Sequence, residues 1–221
     1  FRSFTQAEMK KMQLISTGSS FDRYYRSLNS IYQSAFNKQL MLHYPFFLKK
    51  HESLERRQFN LTDFCIARLS DLKGKRVLEV GCGNGVQCLY IAGKFKPSET
   101  IGIDLNEGNI DLARCQEQQA DPVTFNVDDA HTMETIADGS IDAVICIESA
   151  FHYPDKARFL SQVHRVLKQD GEFVIADILS RSLKKRLLIR NWKRRMNYYH
   201  WTLDQYNRSL QQSGLELEST H

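Results

Sequence analysis

No run in the chain approaches the roughly 18 consecutive apolar residues of a membrane-crossing helix, and the opening Phe1-Arg2-Ser3-Phe4-Thr5-Gln6 lacks the apolar core of a secretory signal. Cysteine offers no pairing pattern: Cys65, Cys82, Cys88, Cys115 and Cys146 are odd in number, with no C-x-x-C pair and no histidine at metal-ligand spacing. That usage argues against a disulfide scaffold and against a metal site. It suits reduced, buried thiols in an intracellular, cytoplasmic protein. There is no internal repeat and no low-complexity segment. At 221 residues and 42% hydrophobic the chain can bury one good core but has no room for a second full domain.

Acid is missing from one stretch only. Between Asp177 and Asp204 stand Arg181, Lys184, Lys185, Arg186, Arg190, Lys193, Arg194 and Arg195, eight basic residues with no acidic one. Removing them from the totals of 30 basic and 26 acidic residues leaves 22 against 26, so the rest of the chain carries −4 while the whole carries +4. A body of that sign repels phosphate, which excludes a general nucleic-acid footprint.

The best-defined stretch is Lys75 to Gly85, KRVLEVGCGNG. Val77-Leu78-Glu79-Val80 is an apolar, valine-containing run that predicts a buried strand, and it stops in Gly81, Gly83 and Gly85. Glycines after a strand let backbone lie against a ligand, and Val86 to Ala92 predicts the helix that starts there. A dinucleotide site would require G-x-G-x-x-G/A, whose last small position here is Val86, with the third glycine one residue early.

Further apolar runs follow in order. Thr100 to Leu105 predicts a strand ending in Asp104, nineteen residues after Gly85, where nucleotide folds place a carboxylate on the ribose hydroxyls. Val123 to Ala130 predicts a third strand, Ile141 to Ile147 a central one covered on both faces, and Arg165 to Asp177 a helix end, glycine turn and fifth strand. Strand and helix alternate from Lys75 onward, so the fold class is α/β. A mostly parallel sheet is expected, with helices on both faces and ligands at the carboxyl ends of the strands.

The string E-V-G-C-G-N-G from Glu79 to Gly85, with the carboxylate-ended second strand and the Asp129-Ala130 ending of the third, resembles the S-adenosylmethionine loop of class I methyltransferases. The resemblance implies a Rossmann-like three-layer α/β/α sandwich spanning 73–221, preceded by an N-terminal helical lid or arm over 1–72. It implies S-adenosylmethionine as cofactor, with Glu79 facing the methionine amino group and Gly81, Cys82 and Gly83 along the methionyl moiety. It also implies Asp104 and Leu105 at the ribose, Asp129 (in preference to Asp128) and Ala130 at the adenine, and Ile147 at the end of the fourth strand. Glu148-Ser149-Ala150-Phe151-His152-Tyr153-Pro154-Asp155 is similar to small-molecule O-methyltransferases, including those acting on sugars, that place a catalytic histidine after this strand. His152 is thus the expected base and Asp177 its orienter or a contact to a substrate hydroxyl, since an alcohol must lose its proton in the transfer. Glu148 and Ser149 are expected at the cofactor or the pocket floor.

The acceptor implied is a hydroxyl on a secondary metabolite, sugar or lipid-like compound. N- or C-methylation of a lipid or amine, and a cofactor-binding subunit without catalysis, stand as alternatives. DNA is not expected as a partner: the Asn/Asp-Pro-Pro-Tyr signature of nucleobase amino methylation and a Pro-Cys nucleophile are both absent.

Outside these motifs, residues 1 to about 20 predict a short helix or loose arm, and Phe21, Tyr24, Tyr25, Leu28, Tyr32 and Ala35 mark an amphipathic lid helix. Tyr24, or Tyr25 beside it, is similar to the family tyrosine that closes over the cofactor. Leu40 to Leu48 is apolar enough to wall a pocket, and Leu61, Phe64, Cys65 and Leu69 mark a further helix. Ser182 to Trp201 predicts a basic amphipathic helix, the core of a helical cover over 180–201. It could pack on the core, cover an anionic ligand or meet a peripheral membrane. Leu203 to Ser213 predicts a last helix and Leu215 to His221 the start of a sixth strand. The family's seventh strand has no sequence left to form it, and the first residue is not Met, so a fragment is expected.

Overall fold

The computed structural model describes residues 20–116, 122–180 and 198–221. Helix α1 (Ser20–Phe36) and helix α2 (Leu54–Ile66) precede strand β1 (Arg76–Val80), and from there strand and helix alternate. Helix α3 (Val86–Phe95), β2 (Glu99–Asp104), α4 (Glu107–Gln116), β3 (Val123–Val127) and β4 (Ile141–Ile147) follow. A 3₁₀ turn (Ala150–His152), α5 (Lys156–Val166), β5 (Leu167–Ala176) and α6 (Leu203–Gln212) complete the order.

The strands form one sheet in the order β3-β2-β1-β4-β5 with every pair parallel. Side chains alternate across it, which explains the near-continuous apolar runs: each strand must satisfy two covered faces. On one face Val77, Ala143, Ile145 and Ile147 pack with Cys65 and Ile66 of α2 and Ile91 of α3. On the other, Leu78, Val80, Val144 and Cys146 meet Phe159, Leu160 and Val163 of α5 and Tyr206 and Leu210 of α6. The result is the expected Rossmann-like α/β/α sandwich. Its order reverses between β1 and β4, so a crevice opens at their carboxyl ends.

Several boundaries differ from the expectation. β3 stops at Val127 because Asp128 turns the chain: its carboxylate accepts the backbone N–H groups of Asp129, Glu134 and Thr135. Gly171 makes no left-handed turn. Instead β5 begins at Leu167 opposite Ile141 and resumes at Glu172 opposite Ala143, a bulge that absorbs the intervening residues. α2 ends at Ile66, before Leu69. Leu203 to Ser213 is helical nearly as expected, held by a Thr202–Gln205 capping box. Leu215 to His221 forms no strand, so the expected sixth strand is not present among the described residues. Most of the predicted helical cover, 181–197, lies outside the described residues, as does the arm at 1–19, and residues 198–201 are irregular rather than helical. Of the five thiols, Cys115 is exposed, against the expectation that all are buried. Among the described residues no helix is long and apolar enough to cross a membrane.

Candidate functional site

The crevice is floored by the loop between β1 and α3. Gly81 has φ +75°, and a Cβ there would stand 1.8 Å from Ser149 Oγ, so no other residue fits this turn. Gly83 has φ +55°, and its added Cβ would meet Leu42 Cδ1 at 2.9 Å. The loop is clamped to β2: Gly81 and Cys82 donate their backbone N–H groups to the Ile103 carbonyl at 2.8 and 3.0 Å. Asp104, at the tip of β2, accepts from Gly83 N at 2.9 Å and from Asn106 N at 2.8 Å. Burial pushes the Asp104 carboxyl above its ordinary value, and these two N–H groups pull it back.

Glu79, 3% exposed, lies on β1 beneath α3 and accepts a hydrogen bond from Cys88 Sγ at 2.9 Å. Burial raises its carboxyl from 4.5 to about 8, only partly opposed by the Cys88 thiol. A raised carboxyl binds its proton more tightly in the folded state, so its contribution to stability is complete below 4.5 and is lost as pH rises to about 8. Glu79→Gln is therefore expected to flatten the ligand-free melting temperature across that window. A profile parallel to wild type would refute the assignment.

The crevice is lined by Glu79, Gly81, Cys82, Gly83, Asp104 and Ile147, by Glu148, Ser149 and His152 after β4, and by Tyr25, Met41, Leu42 and His43 from the N-terminal region. Seven of the residues expected at the cofactor or in catalysis thus meet in one place, together with Glu148, Ser149 and Tyr25. Of the expected wall from Leu40 to Leu48, only Met41, Leu42 and His43 line the crevice. Tyr44 N donates to Glu148 Oε2 at 2.6 Å, and burial lowers the His43 imidazole to about 4, so it is neutral.

Three lining residues were not anticipated: Asn84, Gln87 and Asn109. Asn84 Nδ2 donates to Asn29 Oδ1 at 2.8 Å and Asn29 Nδ2 to Asn109 Oδ1 at 3.2 Å, a buried amide chain that joins α1 to the glycine loop and α4. Gln87 is 4% exposed, and its Nε2 has no hydrogen-bond partner. A buried orphan donor costs about 1–3 kcal/mol. The only sequence signal for it is a polar residue in the otherwise apolar first turn of α3.

His152 ends the 3₁₀ turn. Its Nε2 stands 2.7 Å from Tyr25 Oη, and its ring stacks on Tyr198 with centroids 5.2 Å apart. Of the two candidate tyrosines, Tyr25 lines the crevice. Tyr24, one residue and about 100° around the helix away, is 43% exposed and off the lining. Asp177 does not orient His152: its carboxylate accepts from the Tyr206 hydroxyl on α6 and from Ile178 N at 2.8 Å. Glu148 adopts φ +49°, a strained left-handed conformation that turns the chain out of β4 into the site.

Leu105, 70% exposed, lies off the crevice lining, as do Asp129 and Ala130. Asp129 accepts from His131 N at 2.8 Å and pairs with His131 Nδ1 at 2.6 Å, which holds its carboxyl below the ordinary value. Asp128 is consumed by its own turn, leaving Asp129 as the more accessible of the two.

Residues 71–217 match the family model described as a methyltransferase domain. The fatty-acid O-methyltransferase of Mycolicibacterium smegmatis is 35% identical over 147 residues, covering 66% of this chain and 51% of that enzyme. The phthiotriol/phenolphthiotriol dimycocerosates methyltransferase of Mycobacterium tuberculosis is 38% identical over 109 residues, 49% of this chain and 39% of that one. The chain thus spans about half the length of these curated relatives, or less. Geranyl diphosphate C-methyltransferase from Streptomyces coelicolor, solved with S-adenosyl-L-homocysteine, superposes with a TM-score of 0.66 over 86% of this chain and 78% of that one. At 16% identity that likeness is one of fold.

Proposed function

The chain belongs to the methyltransferase domain family that its residues 71–217 match, and from that premise we propose that it methylates an oxygen of a small, lipid-like acceptor with S-adenosylmethionine as donor. The observation that carries the acceptor side is an imidazole set into the cofactor crevice, His152 Nε2 at 2.7 Å from a lid hydroxyl. Cofactor chemistry supplies an electrophilic methyl group on a sulfonium. The residues present fit such a group: a buried acid for its ammonium (Glu79), a glycine cradle that a Cβ would fill (Gly81), and a carboxylate for its ribose (Asp104). Gln87 Nε2 is a ready donor for its carboxylate.

His152 would accept the acceptor's proton at Nε2. The Tyr25 hydroxyl marks where an acceptor hydroxyl sits, because both would bond the same ring nitrogen. Tyr198 and Phe151, with ring centroids 5.2 and 4.3 Å from His152, keep water from the base. Asp177 belongs to the fold beside the site rather than to the proton path. The lipid-like acceptor rests on the names of the relatives.

The test is transfer of label from methyl-tritiated S-adenosylmethionine to a panel of fatty acids, hydroxy-fatty acids and phenolic polyketides. Label in an ester or ether product supports the proposal. Label in none of them, by protein that binds S-adenosylhomocysteine, would overturn the acceptor class.

A further inference from the structure

The connection between α1 and α2 ends in an exposed tip that neither the cofactor nor the acceptor chemistry uses. Tyr44, Phe47 and Leu48 are 62%, 63% and 61% exposed, and Lys49 and Lys50 beside them are also exposed. Contiguous large apolar side chains in water mark an interaction surface. The tip is braced from below. Arg57 stacks on Phe47 at 4.4 Å and donates to the Lys50 carbonyl at 2.9 Å, Phe46 N donates to the Arg57 carbonyl at 2.8 Å, and Asn60 Nδ2 holds the Phe46 carbonyl at 3.3 Å.

Charge at the tip has one sign. Residues 38–57 contain Lys38, Lys49, Lys50, Arg56 and Arg57 against Glu52 and Glu55, and Arg56 is paired with Asp63 at 3.0 Å. Glu52 is turned inward onto Lys49 N and Asn60 Nδ2, and Glu55 is paired with Lys38 at 2.7 Å. An aromatic and aliphatic tip flanked by lysines matches the boundary between acyl chains and anionic headgroups: rings and Leu enter, and lysines reach the phosphates.

The same connection leads into the crevice. Met41, Leu42 and His43 line it, and Tyr44 N donates to Oε2 of the lining residue Glu148 at 2.6 Å. We propose that residues 44–50 form an interfacial loop that docks the protein on an anionic lipid bilayer, with the crevice mouth at the membrane surface.

Co-sedimentation of the full chain with vesicles of phosphatidylcholine and phosphatidylglycerol, against pure phosphatidylcholine, tests this. Binding is expected only to the anionic vesicles. Lys49→Glu with Lys50→Glu should weaken it by roughly thirtyfold or more, at about a factor of five per lysine. Phe47→Ser with Leu48→Ser should weaken it at least tenfold while S-adenosylhomocysteine affinity, an independent check of the fold and of the cofactor reading, stays unchanged. Vesicle binding that survives both pairs places the contact elsewhere, for instance on the basic stretch from Arg181 to Arg195, and overturns the proposal. So does absence of vesicle binding, including the case where the apolar pair instead drives self-association.

Discussion

His152→Ala is expected to lower turnover on a hydroxyl acceptor by roughly a hundredfold to ten-thousandfold, the usual contribution of a positioned general base. Affinity for S-adenosylhomocysteine should move little, because the groups proposed to hold the cofactor are Glu79, the glycine loop, Asp104 and Gln87. Tyr25→Phe separates base from partner. It removes the hydroxyl 2.7 Å from Nε2 but leaves the ring T-shaped against His152 at 5.7 Å, so the base keeps its place. If that hydroxyl only marks the acceptor's position, Tyr25→Phe should alter KM more than kcat. Rapid-quench measurement of the methyl-transfer step is the suitable readout, since product release could otherwise hide the effect. Full turnover by His152→Ala on the true acceptor would reduce His152 to a residue that closes the turn after β4.

The second large effect is expected at Asp104. Its carboxylate accepts from Gly83 N and Asn106 N, so it shapes the loop as well as offering oxygens to a ribose. Asp104→Ala leaves two N–H donors without their acceptor and removes the ligand contact. The lost ligand contact costs about 1–3 kcal/mol, so S-adenosylhomocysteine affinity measured by calorimetry should fall at least about fivefold and up to about 150-fold. NAD, titrated alongside, should give no heat, because the third glycine is one residue too early for a pyrophosphate. Unchanged affinity in a variant with an unchanged melting profile would leave Asp104 as a loop clamp only. Asp104→Asn should fall between, because one carboxamide oxygen can serve only one of the two N–H groups well.

Much of this architecture was legible in the linear chain, for a local reason. Valine-rich runs covered on both faces have few alternatives to strands of a buried parallel sheet, and a strand ending in Gly81-Cys82-Gly83-Asn84-Gly85 must turn sharply there. Capping chemistry is equally local, as Thr202 and Gln205 illustrate. Errors fell where contacts between distant segments decide. Asp177 looked like the partner of His152, but Tyr206 of α6 reaches it instead. Tyr24 and Tyr25 were equivalent as sequence, and the docking angle of α1 selected Tyr25 for the crevice. Asp128 and Asp129 differ only in that one of them closes its own turn.

By itself, then, the sequence determined the class of fold, the ligand-facing end of its sheet, and the glycine loop, acid and carboxylate that mark a cofactor site. Each is set by periodicity or by backbone conformations within a few residues. Only the tertiary structure decided that Tyr25 faces His152, that Asn29 ties α1 to the glycine loop, and that Gln87 carries a buried donor with no partner. Those facts depend on helix packing and burial between residues up to 127 positions apart, where one step along α1 exchanges a tyrosine that meets His152 for a solvent-exposed one.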